Sequence, residues 1–193
     1  MKKLLLFCFV LCYNFSFSQT IKEAKQALAE EKDERISIYK YDYKLTDIDG
    51  KTVDLKKFKG QKLMLVNTAS KDGGTTQLGA MQQLHKKYGK TLKIIAFPCN
   101  DFGKEPAENK DIKKFYEQSY GVDFFVHSKT NCKGNTAHDV YKYISSKTLN
   151  GTNDNAIETN FCKILINEDG KIDAIHPSKK NLNSQEIISW IEK

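Results

Sequence analysis

The sequence predicts an α/β fold, with a central mixed sheet flanked by helices and a hairpin at its N-terminal end. Three observations point there. Two continuous apolar runs, residues 63–66 (LMLV) and 92–97 (LKIIAF), suit strands buried on both faces. Between them Leu78, Met81, Leu84 and Tyr88 recur at helical spacing, and Gly89 sits where a helix would stop. Finally, Asp49-Gly50 and Asn167-Glu168-Asp169-Gly170 are tight-turn signals lying between extended stretches. Strand, helix and strand in that order build a layered sheet.

The remaining elements follow along the chain. Residues 39–55 (YKYDYKLTDIDGKTVDL) alternate and then turn at Asp49-Gly50, which predicts the hairpin. Helices are expected over 109–120 and 137–146. Residues 161–166 and 171–175 flank the second turn as a strand pair, and Ser184 is placed to cap a last helix over 185–193. There is no internal repeat, low-complexity tract or second-domain linker. The organisation expected is an N-terminal export segment over 1–18, a charged helical arm or linker over 19–36 rich in Ala, Glu and Lys, and one domain over 37–193.

Composition limits the functional classes. With 193 residues, 39% apolar and 28% charged, the chain can bury a core without a metal or disulfide staple. Its 11 Phe and 9 Tyr argue against disorder. The opening MKKLLLFCFVLCYNFSFSQ has a positive start at Lys2 and Lys3, then an apolar stretch too short to span a bilayer comfortably, then small residues at Ser16 and Ser18 before a cut at Gln19. It reads as a secretory signal peptide, so the mature chain is expected in the periplasm or outside the cell, with no membrane span. Leu11 stands before Cys12 where lipidation wants a small residue.

Removing the signal changes the net charge from +7 to about +5, and leaves Cys99, Cys132 and Cys162 of the five cysteines. An odd number allows at most one internal bridge, whose pairing spacing does not reveal. Arg35 is the sole arginine; a basic surface built of Lys scattered among acids lacks the bidentate forks that read bases, so no nucleic-acid partner is expected. Gly73-Gly74 lacks the Gly-Lys-Ser/Thr of a phosphate loop. The histidines 85, 127, 138 and 176 lack the spacing of paired ligands. No cofactor and no metal are expected; His138, before a helix, suits capping or packing better than ligation.

Several segments together resemble the glutathione peroxidase family, from about Tyr39 to Lys193. They are YDYKLTDIDGKTVDLKKFKGQKLMLVNTAS, TTQLGAMQQLHKKYG, the specific IIAFPCNDFGKEP, DIKKFYEQSYGVDF, NAIETNFCKILINEDGKI and the close around His176-Pro177. The resemblance implies a thioredoxin-like fold and thiol-dependent reduction of hydroperoxides, the response to oxidative stress. It also implies a cysteine or selenocysteine nucleophile at a helix start, where unpaired N–H groups favour an anion.

Against that pattern the site residues have changed. Asp72, in Val66-Asn67-Thr68-Ala69-Ser70-Lys71-Asp72-Gly73, holds the nucleophile's place. A carboxylate has no oxidisable sulfur or selenium and forms no sulfenic or selenenic intermediate. The family's glutamine loop is one residue shorter here, Phe102-Gly103-Lys104-Glu105-Pro106, and lacks the glutamine. Thr159 stands in place of the tryptophan, Asn160 is retained, and Tyr116 holds the place of a resolving cysteine. The reading that follows is an exported, catalytically impaired member. Its former active-site face, marked by Asp72 and Asn160, would bind an unknown protein or small molecule, and a thiol reductant is a partner only if residual activity exists.

The alternative is a residual thiol peroxidase using Cys132 or Cys99. Cys132 sits in a polar loop where exposure and the neighbouring Lys129 and Lys133 would favour a thiolate, whereas Cys99 suits a buried, inert role and Cys162 a sheet face. A third reading has Asp72, Asp101 and Glu105 converging on a hard cation.

Overall fold

The computed structural model describes residues 19–23 and 33–193, so the expected export segment lies outside the described residues. Residues 19–23 are helical. They belong to a unit of their own, and the compact domain runs Arg35–Lys193. The end of the expected arm, residues 33–37, is irregular rather than helical. Here the backbone is bonded into the domain: Ile36 N–H donates to Asn150 O at 2.8 Å and Tyr143 Oη to Ile36 O at 2.6 Å. Among the described residues no helix is long and apolar enough to cross a membrane.

The hairpin pairs β1 (Lys44–Thr46) with β2 (Thr52–Asp54) antiparallel. Its turn closes because Asp47 Oδ1 accepts from the N–H groups of Asp49 and Lys51, and because Gly50 takes φ +87°, a conformation that costs glycine nothing. The main sheet has five strands: β3 (Lys62–Thr68), β4 (Leu92–Pro98), β5 (Phe125–Val126), β6 (Lys163–Ile166) and β7 (Ile172–His176). Their order is β5-β4-β3-β6-β7. The pairs β3–β4 and β4–β5 are parallel, and β3–β6 and β6–β7 are antiparallel, which makes the sheet mixed.

Every residue of β3 is buried, because both faces of the sheet are covered. Alternation sorts the side chains. Leu63, Leu65, Ile95, Phe97, Ile164 and Ile166 join one core with the hairpin's Leu45 and with Val140, Tyr141 and Ile144 of α3 (Asp139–Ile144). Met64, Val66, Ile94, Ala96 and Leu165 join the other, against α1 (Gln77–Tyr88), α2 (Asn109–Tyr120) and α5 (Gln185–Glu192).

Two boundaries differ from the sequence reading. The helix expected over 137–146 stops at Ile144 and a separate short turn, α4 (Lys147–Asn150), follows. Ser145 Oγ donates back to Tyr141 O at 2.7 Å and Ser146 is extended, so the two serines break the helix. The strand expected from Phe161 begins at Lys163, since Phe161 has φ +60°, outside strand geometry. His138 caps α3, its Nδ1 accepting from Val140 N–H at 3.3 Å, and Ser184 stands at the N-cap of α5 but its side chain makes no capping bond.

Candidate functional site

The C-terminal ends of β3 and β4 and the loop entering β6 meet at one place. Asp72 lies four residues beyond β3, ahead of α1, and is half-buried. Its Oδ1 accepts from Gly74 N–H at 2.8 Å, and its Oδ2 accepts from Asn160 Nδ2 at 3.2 Å. Asp72 is therefore the acceptor of an Asx turn. The N-cap position of α1 belongs to Thr76, which makes no side-chain capping bond, so Asp72 does not cap the helix itself. Gly74 is required by crowding: a Cβ there would stand 2.7 Å from Phe161 Cδ2.

Asn160 reaches Asp72 because Asn67 holds its loop. Asn67 is fully buried on β3; its Nδ2 donates to Thr159 O at 2.8 Å, its Oδ1 accepts from Cys162 N–H at 3.1 Å, and its carbonyl accepts from Phe161 N–H at 2.6 Å. These three bonds stabilise the positive φ of the buried Phe161. Thr159 is exposed and its Oγ1 lies 3.5 Å from Cys162 Sγ. In the sequence the one signal of this role is a polar residue placed directly after the apolar run 63–66.

Tyr116 is buried on the inner side of α2. Burial pushes its hydroxyl well above the usual range, against a smaller lowering effect of the neighbouring Thr68, and Glu105 and Cys99 add to the rise. Glu105 is fully buried. Its two oxygens accept from Ser70 N–H at 2.7 Å and Ser70 Oγ at 2.6 Å, and Lys71 N–H donates to Lys104 O at 2.9 Å. The shortened loop is thus pinned to the chain just before Asp72. Asp101 serves a third segment, accepting from Cys132 N–H at 2.5 Å. Asp72, Asp101 and Glu105 each serve a different stretch of backbone rather than one cation.

The thiols fall otherwise than expected. Cys132 is 3% exposed, because Asp101 draws its backbone inward; Lys129 instead pairs with Glu108 and Lys133 lies over the Phe102 ring. Burial pushes the Cys132 thiol well above its ordinary range, and Cys99 adds to the rise. Cys99 is fully buried, yet its Sγ lies 3.9 Å from Asn160 Oδ1. The Cys132 thiol beside it holds Cys99 below the ordinary thiol range against the opposing effect of burial. The backbone N–H of Asp101 and the side chain of Asn67 help. Among the described residues, Cys99, Asp101 and Cys132 are the one group of three metal-type donors whose ligand atoms lie within 4.8 Å of one another. All three cysteines in the domain are free.

Nearby, His127 accepts from Thr46 N–H on Nε2 at 3.0 Å, while Nδ1 lies 2.6 Å from Ser128 O. Its ring stacks on Phe97 and meets His138 edge-on, at centroid separations of 4.9 and 4.7 Å. Both imidazoles are packing and hydrogen-bonding groups.

Residues 40–145 match the model of the glutathione peroxidase family. The chain is 38% identical over 155 residues to the glutathione peroxidase homolog BsaA of Bacillus subtilis, covering 79% of this chain and 96% of that protein. Among solved structures it is similar to the apo form of Trgpx, with TM-score 0.57 and 30% identity over 79% of this chain and 95% of the other. It is also similar to the pneumococcal exposed lipoprotein thioredoxin Etrx1 of Streptococcus pneumoniae, with TM-score 0.53 and 20% identity over 79% and 98% of the two chains. The latter likeness establishes the thioredoxin-like fold and nothing more.

Proposed function

This chain belongs to the glutathione peroxidase family, and from that premise we propose an exported member whose hydroperoxide reduction no longer runs at position 72. The former active-site face serves instead to bind a protein or small molecule. The observation that carries this reading is the bond between Asp72 Oδ2 and Asn160 Nδ2. The amide that would attend the reacting atom is engaged with a carboxylate, and a carboxylate offers peroxide no centre to oxidise. The absence of the loop glutamine and the Thr159 substitution support it, since preorganised donors account for much of such catalysis. Export is supported by the charged start, apolar stretch and small residues before Gln19.

Of the two thiols offered as substitutes, Cys132 is the poorer attacking group, because its burial and raised pKa keep it protonated. Cys99 is the thiol that touches the site. The test is a steady-state assay with hydrogen peroxide and a lipid hydroperoxide, using glutathione and thioredoxin as reductants. Sustained turnover no faster than a heat-denatured control is expected. Sustained turnover abolished by changing Asp72 would overturn the reading.

A further inference from the structure

We propose that Cys99 and Cys132 are a two-thiol redox couple that a hydroperoxide closes into a disulfide, joining the end of β4 to the 131–136 segment. This goes beyond the reading of position 72 and rests on different residues. The two sulfurs lie within 4.8 Å of each other. Their backbones are held in register by three contacts between the same two stretches. His127 N–H donates to Ala96 O at 2.8 Å, Thr130 N–H to Pro98 O at 2.9 Å and Cys132 N–H to Asp101 Oδ2 at 2.5 Å. The pair is therefore preorganised by the sheet edge and not by a chance approach of mobile loops.

The thiols have different roles. Cys99 is the attacking group, favoured as thiolate by the donors around it, and Cys132 remains protonated beside it. Attack of Cys99 sulfur on the hydroperoxide breaks the O–O bond, forms an S–O bond and releases an alcohol. The sulfur loses two electrons, the peroxide gains them, and the thiol proton leaves on the alcohol oxygen. Cys132 sulfur then attacks the sulfenic sulfur, and its own proton departs with the hydroxide as water. One hydroperoxide is reduced and two thiols are oxidised. The same three donors suit a thiophilic cation less well, because both thiols would have to ionise next to the Asp101 carboxylate, which already accepts from Cys132 N–H. A disulfide is neutral and suits burial. Since both sulfurs are buried, a protein reductant does not reach the bridge, and one equivalent of oxidant is consumed without turnover.

The experiment uses the full chain, reduced and then freed of reductant. One equivalent of hydrogen peroxide is added, remaining thiols are alkylated in denaturant, and peptides are mapped without reduction. A peptide joining Cys99 to Cys132 is expected, with Cys162 still alkylated, forming about tenfold faster than in urea-unfolded chain. In Cys132→Val, a sulfenic-acid probe should label Cys99; in Cys99→Ala, Cys132 should stay free. A link through Cys162, or thiol loss in the folded wild type no faster than in the unfolded chain, overturns the proposal without recourse to any variant. Sustained turnover in a separate assay with added glutathione or thioredoxin, abolished by changing Asp72, would instead count against the reading of position 72 and leave the cross-link result standing.

Discussion

Asn160 Nδ2 donates to Asp72 Oδ2 at 3.2 Å while Asn160 Oδ1 lies 3.9 Å from Cys99 Sγ. One amide thus touches both the half-buried Asp72 carboxylate and the buried thiol just beyond β4. Position 72 is connected to sulfur although it carries none.

Asp72→Cys is expected to restore little hydroperoxide turnover. A thiol at 72 regains Asn160 but neither the loop glutamine nor an indole, and each missing donor is worth on the order of 10²-fold or more. Steady-state rates of the variant should stay within about tenfold of the wild-type background. Full family-like activity would show that Asp72 alone silences the site.

Asn67→Ala should destabilise the domain by roughly 2–4 kcal/mol, because it removes a buried donor to Thr159 O and a buried acceptor for Cys162 N–H. For a domain of this size that is a fall of about 4–16 °C in Tm, readable by circular dichroism. A shift under about 2 °C would mean that the 159–162 loop holds its place without the clamp.

Gly74→Ala places a methyl 2.7 Å from the ring of Phe161, which is buried and has no room to retreat. Overpacking of this kind costs about 1–3 kcal/mol. Urea denaturation should show the midpoint falling at unchanged slope, and Gly73→Ala, where a Cβ meets nothing within 4 Å, is the matched control.

Acid should weaken the fold through His127. Burial lowers its pKa to about 4, against an ordinary 6.5. Between those values the unfolded chain binds the proton that the folded chain refuses, so stability falls as pH drops from about 6.5 to about 4 and is insensitive to this group below that. Protonation also removes the Nε2 acceptor that Thr46 N–H uses. His138 shifts in the same direction, again by burial. His127→Gln, measured by urea melts across this window, should flatten the dependence by up to about 1.4 kcal/mol per pH unit; an unchanged slope would assign acid sensitivity elsewhere.

The sheet was legible because β3 and β4 are buried on both faces and so advertise themselves as unbroken apolar runs. The hairpin was legible from Asp49-Gly50, and the capping role of His138 from its place before a helix. What stayed hidden depends on partners distant in sequence. Cys132 looked exposed because its neighbours are polar; Asp101, thirty-one positions earlier, draws it inward. The break at Ser145-Ser146 is ambiguous in the residues, since a serine that bonds back to its own helix resembles one that tolerates it. The proximity of Cys99 to Asn160 arises from the pairing of separate strands, which no local pattern encodes.

The grip of Glu105 on Ser70 bears on any attempt to build a thiol site at position 72. That carboxylate draws the abbreviated segment taut, with no slack from which a further side chain can swing toward Asp72. Grafting an amide there calls for lengthening the segment by a residue as well as changing its letters. A substitution alone would trade a buried anchor for an unmoored loop.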